Sequence, residues 1–532
     1  MQKFIEKFRD EIQGVLSGFD RLIFRGSLPR LNQGYWDQRR RVFVARGMEE
    51  YCWQNQILFK DYFDHVKQVS EELKNRTKQS FHEQKLPWIY VRDPKADKEQ
   101  IARQCARDQG IGSGLVCAIS VLEPSPTFEH SVTNIIRRVK PSYVIYQYQI
   151  HPELGWMHTR IQTWFPFHIQ IAINGREWLS QQMAADKLAY RKHDNCFVWV
   201  EDYSQAQRLL DRQLQTHWAT LLDGFARQLN PMHGKLFERY TSEYYWTSFQ
   251  SERATDIVFR QSKHLARLMP LLVRHSVLNF SCADVMRYLG RKVNLSGEIP
   301  AHFSGTLQAD LKRRPEGERV KYRMNGNATK FYDKAYTPWG SVLRVETTIT
   351  RVEDFRVFRP KQGGSEDDLA WRPMRRSIAD IHRRAEVSQK ANDRLLDALS
   401  DIDDSRILEE LTEKIQKRTV FGGRPVRALR PWADDKSLLA AINRGEFLIN
   451  GFRNRDIQKL IFGTGALSDK ERSQRSAMIS RRLRMLRAHG LIQKVNRTHR
   501  YLVTPQARAI LAAVLTSAKT SVRQLNELAK AA

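Results

Sequence analysis

Several groups of residues in this chain have the types and spacing to do chemistry. Asp20, within Gly18–Gly26 (GFDRLIFRG), and the adjacent Glu201 and Asp202, just after the apolar run Phe197–Val200, are carboxylates at the ends of candidate strands. Two or three such groups converging at strand termini are what a metal-dependent nuclease needs to hold a divalent cation against a phosphodiester. Asp202 has a plainer role open to it, capping a helix that begins near Ser204. His168 and Gln170 lie two apart on an expected strand, so they share a face, and His158 on the preceding strand could add a ligand. Packing or hydrogen bonding in a core is the other reading of that histidine. Trp156, Trp164, Phe165 and Phe167 are interleaved with His158, Arg160 and Gln162. Aromatics among basic groups can stack unpaired bases, and they can equally fill a core. Phe24–Leu31 and Trp36–Arg46, with Arg39, Arg40, Arg41 and Arg46, could touch phosphates or form a solvated face.

A further pair of segments, Lys330–Lys334 (KFYDK) and Val342–Glu346 (VLRVE), resembles the "YDK … LRxE" strands of the rolling-circle replication initiators of plasmids and filamentous phages. The match covers about twenty residues. The resemblance implies that Asp333 and Glu346 hold Mg2+ or Mn2+ against a scissile phosphate. Nicking enzymes of the related HUH class place two metal ligands two apart on one strand. By that likeness His168 would be a further ligand, with Gln170 in place of the second histidine. Tyr190, at the end of an expected helix Glu177–Tyr190, would be the nucleophile that joins covalently to DNA. An ordinary hairpin, with Phe331, Val342, Leu343 and Val345 packed inward, fits the same two segments. There is no P-loop, GxGxxG, HExxH or GxSxG, which disfavours a nucleotide-driven motor, a dinucleotide enzyme, a zincin and an α/β-hydrolase.

The elements that would position these groups alternate. Helices are expected over Asp61–Asn75, Lys98–Asp108 and Ser204–Gln228. Strands are expected over Gly114–Leu122, Tyr143–Ile150, Met157–Trp164 and Phe167–Ile173. A helical patch at Gln261–Arg274 and Ala283–Leu289 precedes a second β patch, in which Arg319–Met324 and Lys330–Tyr332 pair with Val342–Thr350. Met374–Lys417 reads as helical, and Lys417–Trp432 (KRTVFGGRPVRALRPW) as a basic linker or arm.

Charge points to the partner. The 532 residues hold 88 Lys and Arg against 59 Asp and Glu, a net charge of +29. That surplus predicts a polyanion, most commonly nucleic acid. From Lys417 onward there are 24 basic and 7 acidic residues, a surplus of 17, so a separate basic domain is expected there. Five cysteines (Cys52, Cys105, Cys117, Cys196 and Cys282) with no CxxC spacing argue against a disulfide framework or a cysteine-rich zinc module. No apolar run is long enough to cross a bilayer, so a soluble, cytoplasmic protein is expected.

Within the basic tail, Arg453–Ile461 reads as a helix and Ser468–Glu471 as the capping box of the next. Ile479, Leu483 and Leu486 form a core stripe, while Arg475, Arg481, Arg482, Arg484 and Arg487 occupy the rest of that helix. A hairpin of Leu491–Val495 and Arg500–Thr504 follows, with Lys494, Arg497 and Arg500 near its tip, then a helix from Pro505. Leu483–Thr504 resembles MarR-like winged helix-turn-helix regulators over roughly Gly451–Leu515. The resemblance implies a recognition helix and a wing that contact DNA.

The expected fold is α+β and multidomain. Residues 1–240 form a mixed α/β nucleic-acid-binding region, 241–370 a helical and β-hairpin region with the processing site, 371–416 a helical connector, 417–434 a basic linker and 435–532 the winged helix. The expected function is DNA binding by the winged helix with nicking or processing by the N-terminal region, in a mobile-element, replication or defence setting. Two alternatives stay open: a ribonucleoprotein carrying a structured or guide RNA to DNA, and a non-enzymatic transcriptional regulator, for which a homodimer on a palindromic site is expected.

Overall fold

The computed structural model describes residues 1–30, 45–130, 134–280, 282–291, 307–314, 317–334, 341–361, 365, 367–402, 408–444, 447, 451–463, 468–495 and 498–521. The chain is mixed α/β and is built on one large sheet. In chain order its strands are β1 (Ile12–Arg30), β2 (Trp88–Val91), β3 (Gly114–His130), β4 (Ile135–His151), β5 (Gly155–Gln162) and β6 (Ile169–Asn174). A separate hairpin, β7 (Tyr190–His193) and β8 (Cys196–Val200), comes next. The sheet resumes with β9 (Glu243–Phe259), β10 (Leu307–Arg314), β11 (Gly317–Met324), β12 (Asn327–Asp333) and β13 (Ser341–Ile349). Across the sheet the order is β10-β11-β12-β13-β9-β1-β6-β5-β4-β3-β2, with every pairing antiparallel except β2 with β3.

This topology corrects the expected boundary between residues 240 and 241. β1 and β9 pair along most of their length at the middle of the sheet, so both regions share one structure. The helix Ile381–Leu399 is likewise part of that structure rather than a connector. Asn392 on it donates to the Arg253 carbonyl at 3.0 Å and accepts from Thr347 Oγ1 at 2.7 Å, and Leu395, Leu396 and Leu399 join the core under β9 and β13.

The two faces of the sheet are covered differently. One face, here the back, packs Val320, Phe331, Val345 and Ile257 against the helices Ser262–Asn279 and Ile381–Leu399. On the front, the helices Gly175–Ala185 and Tyr203–Asp211 and the β7–β8 hairpin lie over β1 and its neighbours. A Cβ on Gly175 would sit 1.8 Å from the Phe19 carbonyl oxygen, so only glycine lets that helix start against β1. The two expected helices at this end are shorter than read. Glu177–Tyr190 is a helix only to Ala185, with Lys187 in the left-handed region and Tyr190 on β7. Ser204–Gln228 is two helices, Tyr203–Asp211 and Trp218–Leu229.

The basic stretch after Lys417 is ordered. β16 (Thr419–Phe421) and β17 (Arg424–Val426), which follow the hairpin β14 (Arg356–Pro360) and β15 (Leu369–Pro373), pair around Gly422 and Gly423, both at positive φ. Ile415 and Leu429 belong to the same core as Leu438, Ile457, Ile479, Leu483 and Leu486. The C-terminal unit therefore starts before residue 417 and has no free linker there. Its elements run helix Lys436–Ile442, β18 (Phe452–Arg453), helix Asn454–Phe462, helix Asp469–Ala488, β19 (Ile492–Lys494), β20 (Arg500–Val503) and helix Pro505–Ser517, with strand order β18-β20-β19. Among the described residues no helix is long and apolar enough to cross a membrane.

Candidate metal centre and nucleic-acid interfaces

Near the middle of the sheet the front face buries an unusual amount of charge. Strand alternation puts Glu252, Ala254 and Asp256 of β9, Arg344 and Glu346 of β13, and Lys330 and Tyr332 of β12 on this one face. Asp20 joins them by an irregularity. β1 pairs Phe19 with Arg253 and Arg21 with Glu252, leaving Asp20 as an extra residue in a bulge. The bulge turns its carboxylate toward Glu252 and Glu346, and carboxylate oxygens of all three lie within 4.8 Å of one another.

Two subsets of this cluster differ in character. Arg344 is fully buried and donates to Asp256 at 2.6 and 2.8 Å, to Asp20 at 3.0 Å and to the Asn195 carbonyl at 2.6 Å. Arg176, also fully buried, reaches Asp256 at 2.9 Å from the start of its helix. These pairs tie β1, β9, β13 and the front cover together. The second subset is Asp20, Glu252 and Glu346. The Asp20 partners Asn195, Arg344 and Arg176 all meet Oδ1. Gln250 donates to Glu252 Oε1 at 2.9 Å. Lys330 Nζ lies 2.6 Å from Glu346 Oε1, and the Tyr332 hydroxyl donates to Glu346 Oε2 at 2.9 Å.

The carboxylates are set among cations. Asp20, Glu252, Asp256 and Glu346 face Arg176, Arg344 and Lys330, with Arg21 opposite Glu252 and Lys334 acting on Asp256 from farther out. Glu252 is the carboxyl held least firmly as an anion: burial and then the Glu346 charge push it up to about 7, against the pull of Lys330 and Arg21. Glu346 moves the other way: burial opposes ionisation, but Lys330 and Arg344 outweigh it. Three oxygens at this separation suit a hard, oxygen-preferring ion such as Mg2+ or Mn2+. Glu252 and Lys330 are half-buried members of the cluster, while Asp20 and Glu346 are buried.

The residues expected to form a nicking site are placed as follows. Glu346 is in the centre. Asp333 is three residues beyond Lys330 on β12, so its side chain leaves the opposite face of the strand and does not meet Glu346. His168 lies just before β6, where its Nδ1 is 3.3 Å from Ser27 Oγ; burial and then Arg25 depress it to about 4. Tyr190 packs edge-on against Phe197, 5.4 Å between centroids. Neither joins the carboxylates. Asp202 caps the helix Tyr203–Asp211 through the Ser204 and Gln205 amides. Glu252 is missing from the sequence-derived candidates. Its signal is the alternation of Glu252, Ala254 and Asp256 in a stretch to which the sequence reading assigns no element.

The expected nucleic-acid contacts divide in the same way. Trp156 is buried under Arg103, Trp164 packs on Phe63, and Arg160 pairs with Glu123 at 2.9 Å. Each of the three therefore has a partner within the protein. Exposed aromatics among arginines occur instead at Phe358 and Trp371, cross-strand neighbours on β14 and β15. In the C-terminal unit, Arg484 donates to the Phe421 carbonyl at 2.9 Å and Arg487 lies over the Phe421 ring, so both hold the β16–β17 hairpin. Arg475 stacks on Phe462, and Arg482 is half-buried. Arg481, Lys494 and Arg500 are exposed. Arg497 and residues 31–44, including Arg39, Arg40 and Arg41, lie outside the described residues.

No protein-family model matches the chain, and neither does a curated protein or a solved structure.

Proposed function

We propose that the protein binds nucleic acid and that Asp20, Glu252 and Glu346 hold Mg2+ or Mn2+ to hydrolyse a phosphodiester. The observation that carries this reading is the convergence of three carboxylates, from strands far apart in sequence, on a sheet face rich in Lys and Arg. A divalent ion there would polarise a phosphoryl oxygen and lower the pKa of an attacking water. The chain's own groups do the rest. Lys330 and Tyr332 hold Glu346 in place, the Arg344 bridge fixes Asp20, and the flanking cations attract the backbone. Water adds to phosphorus, the bond to the leaving oxygen breaks, and that oxygen takes up a proton.

For the C-terminal unit the proposal is a winged helix on duplex DNA. The order helix–strand–helix–helix–hairpin–helix supports it, with exposed Arg481 on the second of the paired helices and exposed Lys494 and Arg500 on the wing. The experiment is cleavage of supercoiled plasmid and of single-stranded DNA and RNA, in Mg2+, Mn2+ and EDTA. Wild type should cut only with metal. Asp20→Asn and Glu252→Gln should each lose at least a hundredfold while still binding. A second reading is favoured by the two partners that Glu346 already has. Under it the centre is a structural ion-pair network, the protein only binds, and wild type shows no metal-dependent cutting.

A further inference from the structure

We propose that the front of β10, β11 and β12 is a track for the phosphate backbone of a single nucleic-acid strand, leading it to the Asp20–Glu252–Glu346 centre. This rests on the hydrolytic reading above for where the track leads, not for what it binds. The register places Lys312 of β10 directly opposite Arg319 of β11, and Lys321 of β11 directly opposite Lys330 of β12. Like charges directly opposite each other destabilise a sheet, so two such pairs side by side need a compensating anion. Glu346 compensates Lys330, and Asp310 is register-paired with Lys321, but β10 and β11 themselves supply little more. Among the described side chains on this face of β10 and β11, Asp310 stands alone against Lys312, Arg319, Lys321 and Arg323. It is 3.6 Å from Arg323 and 3.9 Å from Lys312. Arg319 Nε is buried and has no hydrogen-bond partner among the described residues. Lys321 is depressed, first by burial and then by Lys330, Arg323 and Arg319, as expected where cations crowd.

The geometry indicates a linear polyanion. Cations two apart on a strand are separated by roughly 6.8 Å and adjacent strands by about 4.8 Å, so the charges form a strip rather than a point site. Lys330 closes the strip, with one neighbour, Lys321, in the track and the other, Glu346, in the acidic centre. A single strip of cations on one sheet face neutralises one backbone, so the occupant is one strand. DNA and RNA backbones share this chemistry.

The test measures affinity of the full-length protein for dT20 and rU20 in EDTA as a function of KCl. Three variants are compared with wild type: Lys312→Gln/Lys321→Gln/Arg323→Gln, Lys321→Arg and Glu252→Gln. Each lost phosphate contact lowers the slope of log K against log salt by about 0.7, so the triple variant should lose about 2. Lys321→Arg should keep the wild-type slope. A loss on both oligomers assigns the track to the shared backbone; a loss on one assigns it to that nucleic acid. An unchanged slope in a triple variant with wild-type circular dichroism overturns the proposal. Glu252→Gln separates the two ideas, because it should keep the slope. If the triple variant loses slope and wild type never cuts, the track stands and hydrolysis fails. If wild type cuts and the slope is unchanged, the reverse holds.

Discussion

Arg344 shows most directly how single residues set this molecule's behaviour. Its guanidinium satisfies Asp20 and Asp256 together in a fully buried position. Arg344→Met would leave Asp20 and Asp256 buried with only Asn195 and Arg176 as partners among the described residues, at a cost of about 3–5 kcal/mol. Lysine cannot restore the fork. Urea denaturation should therefore rank wild type well above both variants, and a lysine variant matching wild type would contradict this. Glu252 predicts the opposite sign. Removing its charge relieves repulsion from Glu346, so Glu252→Gln should raise the melting temperature without metal and abolish any rise caused by Mn2+. His158 gives a pH dependence. Burial, then Arg21, Arg160 and Lys98, depress it to about 4 between the Tyr146 and Tyr148 rings. Its folded value lies below that of the unfolded chain, so stability is full above about pH 6.5 and drains as pH falls toward 4. The total is on the order of 3 kcal/mol. Urea midpoints at pH 7, 5.5 and 4.5 should fall less steeply in His158→Gln; parallel lines would remove the assignment. The sequence makes Asp20 and Glu346 visible as strand-borne carboxylates. It hides the third because Glu252 is one polar residue among many on a long strand, and it misplaces Asp333 because a one-residue change of parity moves a side chain to the other face.

At the level of elements, helices with clear caps and periodicity are legible. Lys98–Asp108 is found where its Asp97 cap puts it, and the capping box at Ser468 starts the helix Asp469–Ala488. What local pattern cannot show is tertiary contact. β1 and β9 carry glycine, serine and charge where a strand ordinarily shows alternating apolar residues, and they are strands because they pair with each other. The stretch 417–434 looks like a linker because its arginines have no helical period, yet Arg484 and Arg487 from another element hold it. Two measurements follow at this scale. Gly175→Ala forces a methyl group against the Phe19 carbonyl and should cost about 1–3 kcal/mol, read by thermal denaturation. In the C-terminal unit, Arg481→Gln should lower the salt slope of duplex binding by about 0.9. Arg484→Gln/Arg487→Gln should instead expose Thr419–Val426 to limited proteolysis. Equal effects of both variants on the slope would mean that the hairpin arginines also touch DNA.

For the whole molecule, the mixed α/β character and the basic C-terminal unit are legible from composition and order of elements. The single sheet is not, because its central pairing joins residues more than two hundred positions apart. That pairing also has a consequence in time. A ribosome adds roughly 5–20 residues per second, so β1 is made on the order of ten to fifty seconds before β9 exists to pair with it. Until then Asp20 has no Arg344, and one long edge of β1 is open to other nascent chains. The protein is therefore expected to depend on holding chaperones during synthesis, and slowing translation ahead of Glu243 should lower its soluble yield.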